Sequence, residues 1–180
     1  LEDCIVPING WSADDGLHDK MNQRLLDRLP PVLGPGTLTT AANACRINDG
    51  AAFIVICSEN YCRQNNIKPQ FRLLDAMENA GPPEESPRGA MRAADALLSA
   101  NKFSYYDMDA IEFNEAFAVI DVLFARRFPK LIERYNQLGG ALAYGHPYGA
   151  SGAILGLHLM RTLYMAKKKY GIAAIAGAGG

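Results

Sequence analysis

Short apolar runs of strand length alternate along this chain with longer segments whose apolar residues recur at helical spacing. Such alternation is typical of an α/β fold, in which helices cover both faces of a largely parallel sheet. The predicted fold class is therefore α/β, with a mixed, mostly parallel sheet covered by helices on both faces. Functional groups are expected on the loops that follow the carboxyl ends of the strands.

Local patterns predict where these elements lie. Core strands are predicted over residues 51–56, 111–113 and 171–176, and a short strand over residues 5–8. Helices are predicted over residues 17–29, 58–65, 88–99, 115–128 and 150–168. Ser58 is expected to cap the second of these helices, and Pro30 to stop the first.

Composition excludes two classes of protein. The chain has 180 residues, of which 49% are hydrophobic, and a formal net charge of -1. A disordered chain needs low hydrophobicity and high net charge, and a nucleic-acid-binding surface needs an excess of basic residues. A folded domain with no nucleic-acid partner is therefore expected.

The cysteines bear on metal binding and on the cellular compartment; they are Cys4, Cys45, Cys57 and Cys62. They form no C-x-x-C pair, and no histidine stands at metal-ligand spacing from the closest two, so no metal site is expected. A domain of this size does not depend on disulfides, so the thiols are expected to be reduced. We expect a cytoplasmic location, with an organellar matrix as the alternative.

The longest uncharged stretch, residues 135–160, exceeds the roughly 20 residues that a membrane-spanning helix needs. Pro147 and the glycines around it break any continuous apolar helix, so no membrane span is expected. Gly152 and Gly156 are interpreted as a close-packed helix face.

Polar residues with chemical potential lie at the predicted loops. Asn114 follows a strand, where it either caps the next helix or holds a water molecule. His146 stands between Gly145 and Pro147, so a rigid loop presents its ring. Each residue taken alone also has a structural interpretation, because a lone histidine or helix cap is common in any fold.

The order of four motifs is more specific than any one of them. The runs TLTTAANACRINDGAA, IEFNEAFA, GGALAYGHPYGASGA and YGIAAIAGAGG follow one another along the chain. Together they resemble the carboxyl-terminal half of the thiolase family, the acyl-CoA acyltransferases that cleave or form 3-ketoacyl-CoA. The resemblance implies a loop region and connector over residues 1–36 and a thiolase carboxyl-terminal-type domain, truncated at its end, over residues 37–180.

Catalytic roles follow from the resemblance. It implies that His146 activates the acyl-accepting cysteine and donates to the thioester oxygen, and that Asn114 holds a water in the same oxyanion hole. The backbone N–H of Ala178 is expected to serve a second oxyanion hole. Ala176 stands where the family has its acid/base cysteine, and its methyl group cannot transfer a proton.

Binding and supporting roles follow in the same way. Ala116, Phe117 and Cys45 are expected along the pantetheine arm of coenzyme A, although Arg46 stands where the family often has glycine. Lys20 and Arg24 are expected phosphate partners. The residues expected to shape the site without a chemical step are Glu115, Gly145, Pro147, Ser151 and Gly152.

Three hypotheses follow. The first is part of a thiolase whose nucleophilic cysteine belongs to the amino-terminal half, so that none of the four cysteines here has that role. The second is a thiolase-like protein that binds acyl-CoA or forms complexes without catalysis. The third, a serine hydrolase using Ser151 and His146, is the weakest, because GASGA lacks the second glycine of G-x-S-x-G and a serine and histidine five residues apart make no triad.

The first hypothesis also predicts partners. The expected ligands are CoA and acyl-CoA as substrates, with no separate cofactor. The expected protein partners are the thiolase amino-terminal half and, once complete, further copies in a dimer or tetramer active in lipid metabolism. The sequence begins at Leu1 and ends at Gly180, directly after an apolar run. We therefore expect it to be a piece of a longer polypeptide.

Overall fold

The computed structural model describes residues 5–14, 16–17 and 21–178. Its helices are α1 (Gln23–Leu26), α2 (Glu59–Gln64), α3 (Gly89–Ala100), α4 (Val119–Arg127), α5 (Ala141–Tyr144) and α6 (Tyr148–Ala166). Its strands are β1 (Ala110–Phe113) and β2 (Gly171–Ala174), and 3-10 helices cover Pro83–Arg88, Tyr105–Asp107 and Pro129–Arg134.

The two strands form a parallel pair at the centre of the fold. Ile111 lies opposite Ile172, and Phe113 lies opposite Ala174. Parallel strands need a long crossover connection, which here contains α4, α5 and α6. The α/β class and two of the three predicted core strands are therefore confirmed.

Helices cover both faces of this pair. Ile111, Phe113 and Ile172 belong to one buried cluster with residues of α3 and α4. The opposite face packs on α6, since a Cβ on Gly171 would come within 2.6 Å of the Leu159 side chain. Alternation along the strand places Glu112 on the α6 side.

The helix α3 shows how a local pattern places an element. Ala90, Ala94 and Leu98 recur every fourth residue and are buried. This spacing puts them on one face, which joins the buried cluster against the strands. The predicted helix over 88–99 is confirmed within one residue at each end.

Residues 51–56 are not the core strand that their apolar run predicts. They belong to no helix or strand, and the side chains of Phe53 and Val55 are each 87% exposed. A buried strand needs neighbours on both sides, and no strand in the described part of the chain pairs with this one. The segment instead crosses α6, where a Cβ on Gly156 would lie 2.9 Å from Ile54.

Two predictions near the start of the chain are also wrong. Residues 5–8 form no strand, because Ile8 pairs only with Trp11 across a tight turn. Residues 18–20 of the helix predicted over 17–29 lie outside the described residues, and among the described ones only the short helix α1 forms; the Asn22 side chain caps it by accepting a hydrogen bond from the backbone N–H of Arg24. Lys20 lies outside the described residues.

Helix boundaries were otherwise close to expectation. Ser58 caps α2, and its Oγ accepts a hydrogen bond from Tyr61 N at 3.1 Å. The helix α6 begins two residues before the predicted start and ends at Ala166, followed by the capping residue Lys167 with a left-handed φ of 53°. Among the described residues, no helix combines the length and the apolar character that crossing a bilayer requires.

Candidate functional site

The site forms where β1 ends and the chain turns before α4. Residues 114–118, which we name the NEAF turn, delay the start of α4 to Val119, so the helix predicted from residue 115 begins four residues later. Asn114 N donates to Ala174 O at 3.0 Å, which sets this turn beside the carboxyl end of β2. Asn114 is therefore not the cap of α4.

A chain of three side chains runs through this site. Asn114 Nδ2 lies 3.3 Å from His146 Nε2, and His146 Nδ1 lies 2.6 Å from Ser151 Oγ. An amide nitrogen can only donate, so Nε2 accepts and Nδ1 carries the proton of the neutral ring. Asn114 and Ser151 are each only 3% exposed, which holds both partners of the ring in place.

Burial sets the charge of His146. Its loss of solvent lowers the pKa of the imidazole below the usual value. The ring is therefore neutral at neutral pH, with the lone pair of Nε2 directed into the site. A neutral imidazole held in this tautomer can act as a general base.

The loop that carries His146 follows α5 directly, and we give the name His146 loop to residues 144–147, which include Tyr144, the last residue of α5. Gly145 adopts a backbone φ of 94°, which residues with a Cβ atom rarely adopt. The helix α6 follows at Tyr148, which places Ser151 in its first turn, beneath the imidazole. Pro147 closes the loop and accepts, through its carbonyl, a hydrogen bond from Ala150 N at 2.8 Å.

Glu115 connects the NEAF turn to the loop before His146. Its carboxylate accepts hydrogen bonds from Asn136 Nδ2 at 2.7 Å and from Leu142 N at 3.2 Å. A Cβ on Gly140 would clash with the same carboxylate, so a larger residue there would displace Glu115 from these hydrogen bonds. Glu115 therefore connects the NEAF turn to residues 136–142 and stabilises the site without a chemical step.

A third segment, residues 43–50, borders both of these loops. Cys45 N donates to Ala116 O at 3.0 Å, and His146 N donates to Arg46 O at 2.7 Å. Phe117 forms an isolated antiparallel bridge with Ala44. Partial burial raises the pKa of the Cys45 thiol, which keeps it protonated and weakly nucleophilic.

Other predicted site residues lie further from the histidine. Ala176 follows β2 and faces Gly89 at the start of α3, where an added Cβ would be 3.2 Å away. Ala178 is exposed, and the preceding carbonyl of Gly177 accepts a hydrogen bond from Ser86. Gly152 is exposed in α6 with open space around it, so it is not part of a packed helix face.

The contacts of two site residues do not follow from the sequence. Ser151 is expected there only to shape the loop, yet it is the partner of His146 Nδ1. Asn48 has no role predicted from the sequence, and it contacts the His146 loop. The described parts of the chain hold no group of three or more metal-ligating side chains.

These features define an α/β protein with a histidine-centred polar site at the carboxyl edge of its parallel strands. The family model described as "Thiolase, C-terminal domain" matches residues 67–180, and "Thiolase, N-terminal domain" matches residues 2–60. The chain belongs to the thiolase family. Its expected division near residue 36 stays a prediction.

Curated relatives cover nearly the whole chain. The acetyl-CoA acetyltransferase of Synechocystis sp. is 34% identical over 170 residues, which are 94% of this chain and 43% of that protein. The human mitochondrial 3-ketoacyl-CoA thiolase is 34% identical over 168 residues, or 93% of this chain and 42% of that protein. The chain thus spans less than half the length of these relatives.

Solved structures agree with the fold. The crystal structure of the Bacillus anthracis acetyl-CoA acetyltransferase superposes with a TM-score of 0.88 at 28% identity, over 94% of this chain and 43% of that one. Human mitochondrial 3-ketoacyl-CoA thiolase in complex with CoA gives a TM-score of 0.85 at 30% identity, over 97% and 45% of the two chains.

Proposed function

We propose that this chain is the carboxyl-terminal part of a thiolase-type acyl-CoA C-acyltransferase, which cleaves 3-ketoacyl-CoA by thiolysis or forms it by Claisen condensation. The observation that carries the proposal is the hydrogen-bonded row Asn114, His146 and Ser151. The relatives named above as acetyltransferases and a ketoacyl thiolase support the same chemistry.

The first half-reaction uses His146 as a base. Nε2 exchanges its hydrogen bond from Asn114 Nδ2 for the thiol proton of a cysteine in the amino-terminal half, and the thiolate attacks the carbonyl carbon of acetyl-CoA. The carbon–sulfur bond to CoA then breaks, and the imidazolium returns its proton to the leaving CoA thiolate. An acetyl-cysteine and free CoA result, and His146 is neutral again.

Asn114 and Ser151 prepare His146 for this step. The Ser151 hydroxyl accepts from Nδ1 and so keeps Nε2 unprotonated and directed into the site. Asn114 holds the other side of the ring and contributes its amide, with a water, to the developing oxyanion. Losing one preorganised donor of this kind costs roughly 3–4 kcal/mol of transition-state stabilisation.

Ala176 limits the second half-reaction. Condensation needs a base that removes an α-proton from the second acetyl-CoA, and cleavage needs an acid that returns it. A methyl group supplies neither, and a positioned proton-transfer group contributes about 10²–10⁴-fold. Acyl transfer to the nucleophile is therefore expected, with carbon–carbon bond turnover severely reduced.

The remaining assignments concern ligands and partners. Coenzyme A and acyl-CoA are the substrates, with the pantetheine arm along Cys45, Ala116 and Phe117, and no separate cofactor takes part. The amino-terminal half of a thiolase is the partner that supplies the nucleophile. The complete assembly is a dimer or tetramer of lipid metabolism in the cytoplasm or an organellar matrix.

The test combines this chain with the amino-terminal half of the Synechocystis acetyl-CoA acetyltransferase, once size-exclusion chromatography has verified assembly. Incubation with acetyl-CoA should add an acetyl group to the nucleophilic cysteine, measured as intact mass. His146→Ala should abolish the adduct. His158→Gln, which changes a buried histidine outside the hydrogen-bonded row, should preserve it.

One outcome separates the two candidate functions. An assembled complex that binds acetyl-CoA and gains no acetyl group would support the alternative, a thiolase-like acyl-CoA-binding or complex-forming protein without catalysis. The replacement of the acid/base cysteine by Ala176 favours this alternative. The intact hydrogen-bonded row around His146 favours the enzyme.

A further inference from the structure

Asn48 contacts the peptide that leads into His146. Its Nδ2 lies 3.2 Å from Tyr144 O and 3.2 Å from Asp49 O, so both amide hydrogens have acceptors. A Cβ on Gly145 would come within 2.3 Å of the Asn48 Oδ1. The side-chain amide therefore lies directly against the His146 loop, at the one residue whose left-handed backbone turns the chain toward the imidazole.

Neighbours of Asn48 fix the same loop at two further points. His146 N donates to Arg46 O at 2.7 Å. A Cβ on Gly50 would lie 2.7 Å from the ring of Pro147. Residues 46–50 thus follow residues 144–147 along their length, although the two stretches are distant in sequence.

The acceptor of Asn48 adds a constraint of its own. Its Oδ1 is buried and has no hydrogen-bond partner among the described residues. A buried acceptor without a partner costs free energy, so a side chain without this oxygen would be favoured if packing alone mattered. We therefore attribute the asparagine at this position to the two hydrogen bonds that its Nδ2 donates, one of them to the His146 loop.

We propose that Asn48 is a positioning residue for His146. This inference rests on the proposed function of that histidine, and it assigns to Asn48 the orientation of the Tyr144–Gly145 peptide. Through that peptide, Asn48 sets the position of the imidazole against Asn114 and Ser151. Without it, the ring keeps its chemistry but loses its alignment with the nucleophile.

Two substitutions test different parts of this role in the assembled protein, this chain together with the thiolase amino-terminal half. Asn48→Ala removes both hydrogen bonds, and the acetylation rate should fall about tenfold with the KM for acetyl-CoA unchanged, because misalignment affects the reacting geometry and not binding. Asn48→Asp adds a negative charge beside the loop, which should raise the pKa of His146 and move the acidic limb of the pH–rate profile upward.

The charged and titratable groups on the elements packed around His146 stay constant in these variants. They are Arg46 and Asp49 on the same segment, Tyr148 in α6 and Glu115 in the NEAF turn. The shift expected for Asn48→Asp is therefore due to the new carboxylate.

Asn43→Ala is the matched control. Asn43 lies in the same segment and its side chain also makes two hydrogen bonds, to Thr40 N and to Leu38 O, but neither reaches the His146 loop. It should leave the rate and the pH profile unchanged. Equal losses in Asn43→Ala and Asn48→Ala would overturn the proposal, as would full activity in Asn48→Ala.

A second measurement does not depend on catalysis. The His146 ring resonances, followed by NMR in the assembled protein, should shift in Asn48→Ala, because the ring loses its alignment with Asn114 and Ser151 without any added charge, and they should not shift in Asn43→Ala. An unshifted His146 would refute the positioning role even if no acetyl-enzyme forms in any variant. A shifted His146 without an acetyl-enzyme would retain the positioning role and refute the proposed function.

Discussion

The two ring nitrogens of His146 have different partners, and this difference determines what the ring can do. Nε2 accepts from the Asn114 amide, and Nδ1 donates to Ser151 Oγ. The other neutral tautomer would place Nε2–H against the amide hydrogens of Asn114. The partners and the lowered pKa together give a neutral base with a fixed direction.

Removing the Ser151 hydroxyl should therefore impair the base without affecting binding. In Ser151→Ala, Nδ1–H loses its acceptor, and we expect an acetylation rate about tenfold lower at an unchanged KM for acetyl-CoA. Ser151→Thr keeps an acceptor and should recover part of the loss. Stopped-flow or quenched-flow measurement of the acetyl-enzyme in the assembled protein gives both quantities.

Thr162→Val is the control for Ser151→Ala. Thr162 lies on the same helix and is also buried, but its hydroxyl has no hydrogen-bond partner among the described residues. Its removal should leave the acetylation rate unchanged. A loss as large as that of Ser151→Ala would mean that the hydroxyl matters to α6 and not to His146.

Glu112 is a buried carboxyl that the proposed reaction does not use. It is 1% exposed, and neither of its oxygens has a hydrogen-bond partner in the described structure. Burial, with a smaller effect from the charge of Glu115, raises its pKa to about 8. Glu112 is therefore protonated in the folded protein at neutral pH.

This raised pKa predicts how stability depends on pH. Between the ordinary pKa of 4.5 and about 8, the folded state holds a proton that the unfolded state has lost. The free energy of unfolding should therefore fall as pH rises through this range and level off above it, by roughly 3–5 kcal/mol in total. Glu112→Gln should remove this fall, while Glu133→Gln, at an exposed site, should keep it; denaturant unfolding at a series of pH values measures both.

At the scale of elements, the parts that the sequence predicts well are those whose pattern is satisfied locally. The buried spacing of α3 needs only one face against the core, and β1 needs one neighbour that the chain provides. Residues 51–56 have an equally clear apolar run, but a buried strand depends on partners on both sides. An apolar run indicates that a segment is favoured in a buried position. It does not indicate which other segment of the chain would bury it.

The candidate site divides in the same way. His146 and Asn114 could be singled out because a family resemblance joins motifs that are distant in sequence. The hydrogen bond to Ser151 depends on where α6 begins, at Tyr148 and not at residue 150, and boundaries of this kind are poorly determined by local patterns. The contact of Asn48 with Tyr144 is long-range and has no local signature.

Ala176, which follows β2, is the residue at which we predict an effect on carbon–carbon bond formation and cleavage. In the assembled protein, Ala176→Cys should raise acetoacetyl-CoA turnover by about 10²–10⁴-fold and leave acetyl-enzyme formation unchanged. Ala178→Cys places a thiol two residues further on, at an exposed position, and should give no gain. Turnover by the Ala176 protein as fast as by its cysteine variant would show that another group transfers this proton.

At the scale of the whole molecule, one surface is more apolar than a folded domain usually leaves in water. Phe53, Val55 and Ile56 are 87%, 87% and 76% exposed on one short segment. Contiguous apolar patches beyond a few hundred Å² usually mark an interface. The chain covers less than half of its relatives, and this segment lies near the end of residues 2–60, the region that matches the amino-terminal thiolase domain.

We therefore expect the isolated chain to self-associate and the amino-terminal half to suppress that association by covering residues 53–56. Light scattering at a protein concentration on the order of tens of micromolar should show oligomers or aggregates of the chain alone. It should show a defined complex when the amino-terminal half is added. A Phe53→Ser, Val55→Ser double variant should associate less, whereas Tyr106→Ser, which removes an exposed ring at a 3-10 helix away from this segment, should not. If the chain is a monodisperse monomer that does not bind the amino-terminal half, residues 53–56 are not an interface and that half is not the partner. The exposed apolar segment would then be stable in water.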